Sequence, residues 1–246
     1  MRLQAGYYLN LNLTHLNLLS VRIKSAEEEN REFVVLLHGL SRTSRSMRPI
    51  KKALEKNGFS TFNLNYPSRK KPIEELSEFV LEKINRNFSD TPVHTLHFVT
   101  HSMGGIILRQ IMKLSPLPNL GRVVMLGPPN QGSEIIDRLG PFKLIPLING
   151  PACLQLGTSS DGFIQSLGPV KFDLGVIAGN RSINPFLSFL IPGVDDGKVS
   201  VERTKVEGMN DFLEVPRSHS FMMGNQTIQK ETIYFIKNGH FSKNKE

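Results

Sequence analysis

Residues 97–108 have the sequence HFVTHSMGGIIL, which joins a strand pattern to a helix pattern around one serine. Aromatic and β-branched residues lead up to Ser102, and two glycines then open an apolar run at helical spacing. A sharp turn from strand to helix brings the two elements close together, so small residues are expected two positions before and two positions after the serine. Gly104 meets this expectation, whereas Thr100 is larger than the usual glycine. The stretch therefore predicts a serine held on a tight turn.

The segments on either side continue the alternation of strands and helices. Strands are predicted at FVVLLHG (33–39), FSTFNLNYP (59–67), VHTLHFVT (93–100), GRVVMLGPP (121–129), FDLGVIAGN (172–180) and DFLEVP (211–216). Helices are predicted at RSMRPIKKALEKNG (45–58), PIEELSEFVLEKINRN (72–87), GGIILRQIMKLS (104–115) and QTIQKETIYFIKNG (226–239). This order predicts an α/β fold with a mainly parallel central sheet and helices on both faces.

Two regions depart from this alternation. Residues 128–170 repeat Gly and Pro around short apolar runs, which predicts a loop-rich, cap- or lid-like insertion over a pocket. Its apolar residues could line an acyl pocket, form a lid or pack in the core: Phe142, Leu144, Ile145, Leu147 and Ile148. Residues 1–30 form an N-terminal extension.

Within this extension Leu9, Leu11 and Leu13 alternate with polar residues, which favours a half-buried strand over a degenerate secretion signal. A cytoplasmic location is therefore expected. The length of 246 residues favours one α/β domain over two small ones.

The composition indicates a globular protein, since 39% of the residues are hydrophobic and 21% are charged. The formal charge of +8 is compatible with nucleic acid, an anionic membrane or solubility alone, but no basic motif interleaved with aromatic residues favours nucleic acid. The single cysteine, Cys153, excludes an internal disulfide and a cysteine-rich metal site, and a buried free thiol is its commoner condition. No metal or organic cofactor is expected.

A serine hydroxyl needs an adjacent base, itself oriented by an acid, before it can act as a nucleophile. His219 follows the last predicted strand and is the candidate base for Ser102. Asp195 and Asp196 lie together in the glycine-flanked turn of PGVDDG (192–197), and the spacing alone leaves the choice between them open. The chain order Ser, Asp, His is that of hydrolases built on open α/β sheets. The alternative is an ordinary serine at a helix N-terminus.

Acyl transfer also needs backbone N–H groups that stabilise a developing oxyanion. One comes from the residue after the nucleophile and another from the loop after an earlier strand, which assigns Met103 and Leu40. His38 and Gly39 then shape that loop, and His38 is expected to be a hydrogen-bonded structural histidine.

Five stretches together resemble the α/β-hydrolase superfamily, and within it a bacterial lipase/esterase-like group that carries threonine ahead of the His-Ser pair. They are VVLLHGLSRTSRSM (34–47), VTHSMGGIILRQ (99–110), VVMLGPPNQGSE (123–134), VIAGNRSINP (176–185) and DDGKVSVERTKVEGMNDFLEVPRSHSFMM (195–223). The resemblance implies that Ser102 is the nucleophile, His219 the base and Asp196, directly before Gly197, the acid. It also implies that Leu40 and Met103 are the oxyanion donors.

The expected function is that of a serine hydrolase that cleaves carboxylic esters, lipid-like or acyl, through a Ser-His-Asp triad and an acyl-enzyme. The alternative is a non-catalytic lipid- or partner-binding protein on a hydrolase scaffold. Arg42 and Arg45 follow the predicted oxyanion loop and could contact an anionic membrane or an acidic substrate, or belong to a solvated basic face. The sequence leaves open the natural substrate, the acyl chain length, the oligomeric state, and the choice among esterase, lipase, thioesterase and amidase.

Overall fold

A central parallel sheet organises the fold. The computed structural model describes residues 32–90, 93–139 and 144–242. In this part of the chain six strands pair in the order β2-β1-β3-β4-β5-β6, and every pair is parallel. The strands are β1 (Glu32–Leu37), β2 (Ser60–Leu64), β3 (Thr95–His101), β4 (Leu120–Leu126), β5 (Leu174–Gly179) and β6 (Asp211–Val215). The parallel sheet expected from the sequence is confirmed.

Helices connect the strands. They are α1 (Arg48–Lys56), α2 (Ile73–Phe88), α3 (Met103–Leu114), α4 (Glu134–Leu139), α5 (Leu144–Asn149), α6 (Phe163–Ser166), α7 (Pro185–Phe189), α8 (Val201–Thr204) and α9 (Gln226–Asn238). Three short 3-10 helices span Ser44–Met47, Pro151–Leu156 and His219–Gly224. Among the described helices, none is both long enough and apolar enough to cross a membrane.

Each face of the sheet is covered by its own apolar cluster. In β1, Val35 and Leu37 join one cluster, whereas Val34 and Leu36 join the other. This alternation follows from the two-residue period of a strand, and burial on both faces explains the continuous apolar run in its sequence. Helices α2 and α3 contribute to the first cluster, and α1 and α9 contribute to the second. The prediction of helices on both faces is therefore confirmed.

The strand order creates a crevice at the carboxyl ends of β1 and β3. The chain passes from β1 to β2 on one side and then crosses to β3 on the other side of β1. At the carboxyl ends Leu37 pairs with Thr100, so the loop after β1 and the turn after β3 begin side by side. Such a switch point is where open α/β sheets bind ligands.

The predicted insertion, residues 128–170, contains short helices and is less irregular than its Gly and Pro content indicates. Its buried apolar residues extend the cluster around α2 and α3: Ala152, Leu156, Ile164, Leu167 and Val170. Leu147 and Ile148 are exposed, at 80% and 51%, so neither packs in the core. Phe142 and the side chains of Leu144 and Ile145 lie outside the described residues, as does the strand expected within residues 1–30.

Candidate active site

Ser102 lies on the predicted turn between β3 and α3. Its backbone has φ 53° and ψ −126°, a conformation that costs a non-glycine residue about 1–3 kcal/mol. Hydrogen bonds hold the turn, because the Ser102 N–H donates to the Leu126 carbonyl at 2.9 Å and the Gly105 N–H donates to the Ser102 carbonyl at 3.0 Å. Within the described residues, Ser41 is the other non-glycine residue with positive φ, at 56°. The strain is thus concentrated in the two segments that meet at the crevice.

Glycines allow the close approach of α3 to the sheet. A Cβ atom at Gly104 would lie 2.6 Å from the Leu37 carbonyl oxygen, and one at Gly39 would lie 3.1 Å from the Ser102 Cβ. The Thr100 side chain is fully buried and points towards Gly105, where a Cβ would come within 3.2 Å of Oγ1. The missing side chain at Gly105 therefore leaves room for the larger residue at position 100.

The structure distinguishes between the two candidate acids. Asp196 Oδ2 accepts a hydrogen bond from His219 Nδ1 at 2.7 Å, and both side chains are buried. Asp196 Oδ1 accepts from the backbone N–H groups of Lys198 and Val199 at 3.0 and 2.9 Å. Asp195 instead accepts from the Gly197 N–H and from the Ser188 hydroxyl. Only Asp196 therefore orients the imidazole.

The end of β4 leaves room for this pair. Gly127 follows β4 with φ 54°, and a Cβ there would lie 3.1 Å from both Asp196 Oδ2 and His219 Nδ1. The His219 backbone is fixed as well, because its N–H donates to the Asp196 carbonyl at 2.9 Å. Main-chain hydrogen bonds thus fix the Asp196–His219 pair, and Gly127 leaves the space that the pair occupies.

His101, directly before Ser102, contacts His219, and the sequence did not predict this contact. Its Nε2 donates to the His219 carbonyl at 3.0 Å, and the two rings lie with centroids 4.8 Å apart. Burial lowers the pKa of His101 well below 6.5, and the neighbouring His219 lowers that pKa further. The ring is therefore neutral, with its proton on Nε2. The His-Ser pair in the sequence could have indicated this role, although the carbonyl acceptor lies 118 residues away.

Ser102 and His219 line one cavity of about 230 Å³. Within the described residues no hydrogen bond joins the Ser102 hydroxyl to the His219 ring, a bond that often forms fully only when substrate binds. The insertion supplies much of the apolar wall, and further residues come from α7 and the segment before α8: Ile135, Ile136, Leu139, Leu156, Leu187 and Val199. Residues of the predicted insertion thus line the cavity.

The two expected oxyanion donors are Leu40 and Met103, the residue that follows Ser102 in the chain. Leu40 lines the cavity, and within the described part of the chain its N–H donates to no protein acceptor. Met103 is the first residue of α3, where backbone N–H groups have no acceptor inside the helix. Its side chain is fully buried. His38, as expected, is a buried histidine that donates from Nδ1 to the Gly39 carbonyl at 2.9 Å.

Polar and charged side chains also reach the cavity. Arg42 and Lys198 line its wall together with Cys153. Burial raises the pKa of the Cys153 thiol, which therefore stays protonated and is a poor nucleophile. Across residues 32–90, 93–139 and 144–242 no three His, Cys, Asp or Glu side chains cluster as metal ligands.

Comparison with known proteins supports this assignment of the fold. Residues 27–147, a little under half of the chain, match the sequence model of the family described as "Putative serine esterase (DUF676)". The matched region contains Leu40, Ser102 and Met103, and it ends before Asp196 and His219. No curated protein has a significantly similar sequence.

Solved structures with the same architecture include three enzymes. The mature Bacillus licheniformis lipase BlEst2 superposes with a TM-score of 0.60 at 19% identity, covering 84% of this chain and 91% of the lipase. The metagenomic carboxyl esterase MGS0156 gives 0.62 at 17% identity, covering 77% and 64%. Legionella pneumophila phospholipase PlaB gives 0.57 at 20% identity, covering 71% and 45%. The chain therefore has an α/β-hydrolase fold, and its structure is similar to those of lipases and esterases.

Proposed function

We propose that this protein is a serine hydrolase that cleaves carboxylic esters through Ser102, His219 and Asp196. The observation that carries the proposal is the buried His219–Asp196 hydrogen bond beside a cavity that Ser102 also lines. The match of residues 27–147 to a serine esterase family supports the same reaction class.

The hydrogen bond to Asp196 sets the chemistry of His219. Because Nδ1–H donates to Asp196 Oδ2, the neutral ring carries its lone pair on Nε2. This nitrogen can take the proton from Ser102 Oγ as the oxygen attacks the ester carbonyl carbon. Asp196 stabilises the imidazolium that results and remains ionised itself.

The attack produces a tetrahedral intermediate whose oxyanion is stabilised by the N–H groups of Leu40 and Met103. The imidazolium then protonates the leaving alcohol as the ester C–O bond breaks, which leaves an acyl group on Ser102. Water, deprotonated by His219, attacks this acyl-enzyme and releases the carboxylic acid. The cycle restores the Ser102 hydroxyl and consumes one water per ester.

The experiment is Ser102→Ala, measured with 4-nitrophenyl butyrate. We expect kcat to fall by several orders of magnitude while the circular dichroism spectrum is retained. Ser115→Ala, an exposed change of the same chemistry just after α3, is the control and should behave like the parent protein.

A fluorophosphonate probe separates the enzyme from the alternative, a non-catalytic binding protein. Labelling of the parent protein that disappears in Ser102→Ala supports an activated serine. A folded parent protein that neither hydrolyses esters nor takes up the probe would favour the binding protein.

The expected contact with an anionic membrane remains a second proposal, supported by apolar side chains near the cavity. Phe186 and Phe189 flank the cavity residue Leu187 and are 68% and 83% exposed, and Leu147 precedes the cavity residue Asn149 by two positions. Exposed apolar groups of this size beside a site are typical of surfaces that bind lipid or protein. Arg42 and Arg45 are exposed on the neighbouring loop and add positive charge.

A further inference from the structure

Two cationic side chains, from separate segments of the chain, line the cavity that Ser102 and His219 also line. Arg42 follows the loop after β1 that holds Leu40, and Lys198 lies two residues after Asp196. Both side chains keep exposed surface, so a molecule that enters the cavity can reach them. The proposed hydrolysis assigns neither of them a role.

Neither cation forms an ion pair with an acidic side chain among the described residues. Arg42 Nη2 donates to the Ser220 hydroxyl at 2.8 Å, which leaves most of the guanidinium N–H groups available. The Lys198 ammonium forms no hydrogen bond or ion pair with any residue that the structure describes. Asp196 is the acid nearest in sequence to Lys198, but its two carboxylate oxygens already accept from His219 and from backbone N–H groups. The cavity therefore carries positive charge that its own residues do not neutralise.

The surroundings of Lys198 disfavour its positive charge. Burial lowers the pKa of Lys198, since the cavity walls surround the amino group even though the side chain retains exposed surface. Repulsion from Arg42 lowers that pKa further, whereas attraction to Asp196 raises it. An anion between the two cations would remove the repulsion and replace part of the lost solvation.

The backbone at Lys198 is fixed independently of its side chain. The Lys198 N–H donates to Asp196 Oδ1 at 3.0 Å, and its carbonyl accepts from the Ser133 hydroxyl at 2.7 Å. Because both contacts use main-chain atoms, the side chain can be replaced without removing either hydrogen bond. The ammonium is thus not needed to build the Asp196 turn.

We propose that the cavity binds esters that carry an anionic group, a carboxylate or a phosphate, which Arg42 and Lys198 hold while Ser102 attacks the ester. This inference rests on the proposed hydrolysis and specifies its substrate class. Guanidinium and ammonium groups form charge-assisted hydrogen bonds with both anions, and the planar guanidinium can bind either one through two N–H groups. The apolar wall around Ile136, Leu139 and Leu156 suits the hydrocarbon part of such a substrate.

The test uses pairs of soluble esters in which one member carries an anionic group and the other has a neutral hydroxyl or methyl group in its place. One pair is 1-octanoylglycerol 3-phosphate and 1-octanoylglycerol, with the anion on the alcohol side. The other is monomethyl suberate and methyl octanoate, with the anion on the acyl side. All four are used below their critical micelle concentrations, so that binding to a lipid surface does not contribute. The readout is the ratio of kcat/KM for the charged ester to that for its neutral partner.

We expect the parent protein to favour the charged ester of at least one pair, and Lys198→Met and Arg42→Gln each to lower that ratio by about tenfold. The matched control is Lys52→Met, which removes one positive charge from the exposed face of α1 and should leave the ratio unchanged. The phosphate and carboxylate pairs show on which side of the ester the anion is held. Equal rates within both pairs, or equal ratios in all four proteins, would overturn the inference.

Binding separates this inference from the proposed function. Calorimetric titration of Ser102→Ala with 1-octanoylglycerol 3-phosphate and with 1-octanoylglycerol measures affinity without turnover. Tighter binding of the phosphate that weakens in Ser102→Ala/Lys198→Met supports the anion site even if no ester is hydrolysed, in which case only the proposed hydrolysis fails. If the parent protein hydrolyses neutral esters but shows no preference in either assay, only the anion site fails.

Discussion

The strained conformation of Ser102 is maintained by several neighbours at once. Its N–H donates a hydrogen bond to the end of β4, and its carbonyl accepts one from the first turn of α3. Gly39 and Gly104 have no side chains that would obstruct this conformation. A backbone that costs about 1–3 kcal/mol persists only when its surroundings over-determine it, and such strain is concentrated at functional sites. The conformation is therefore itself evidence that the serine is used.

The two aspartates allow a sharp test of the proposed triad. Asp196→Asn should lower kcat by about 10⁴-fold, since an amide can force the wrong tautomer on His219 while keeping a similar shape. Asp195→Asn is the control, because its carboxylate bonds the Gly197 N–H and Ser188 and does not contact His219. We expect it to affect stability more than kcat. Comparable losses of kcat in the two variants, measured with 4-nitrophenyl butyrate, would contradict the assignment of Asp196.

At the scale of elements, the sequence predicted the six described strands and the four longest helices to within a few residues. Their patterns are local, because a strand buried on both faces must be apolar throughout and a surface helix must carry an apolar stripe. The insertion was less predictable, since its short helices depend on contacts with α2 and α3. The spacing of residues left the choice between Asp195 and Asp196 open, and the resemblance to a known family was needed to select Asp196 as the partner of His219. The contact of His101 with the His219 carbonyl escaped prediction, because it joins residues that are distant in the chain.

The contact between α3 and β1 gives a prediction about stability. Gly104→Ala places a Cβ 2.6 Å from the Leu37 carbonyl oxygen, and this backbone atom cannot move aside without disturbing the sheet. We expect the free energy of unfolding in urea to fall by about 1–3 kcal/mol. Gly224→Ala is the control, since nothing lies within 4 Å of its Cβ and its φ is not positive. Equal unfolding free energies for both variants would show that α3 can shift away from β1.

At the scale of the whole molecule, buried histidines link stability to pH. Burial lowers the pKa of His38, His97 and His101 below the value of 6.5 expected in the unfolded chain. The unfolded state therefore binds more protons than the folded state between the folded pKa values and 6.5, so stability decreases as pH falls through this window. Each histidine contributes up to about 1.4 kcal/mol per pH unit.

Urea unfolding from about pH 7.5 to about pH 5.5 measures this dependence. His97→Gln should reduce the slope by one histidine's contribution while its amide oxygen can still accept from the Arg122 N–H that now bonds His97 Nδ1. An unfolding free energy independent of pH over this range, or an unchanged slope in the variant, would mean that these rings are not held neutral by burial.

The charge and the exposed apolar side chains of the molecule lead to a prediction about lipid surfaces. The net charge of +8 attracts anionic membranes at long range, whereas Phe186 and Phe189 can insert only where they touch the surface. Cosedimentation with vesicles should therefore increase when phosphatidylglycerol is added to phosphatidylcholine and decrease at high salt, because salt screens the long-range attraction.

The double variant Phe186→Ser/Phe189→Ser should weaken vesicle binding at every salt concentration. Leu114→Ser, equally apolar and 60% exposed at the far end of α3, should not. Vesicle binding that depends neither on lipid charge nor on the two phenylalanines would exclude the surface around Phe186 and Phe189 as a membrane-binding surface and leave soluble esters as the substrates to examine.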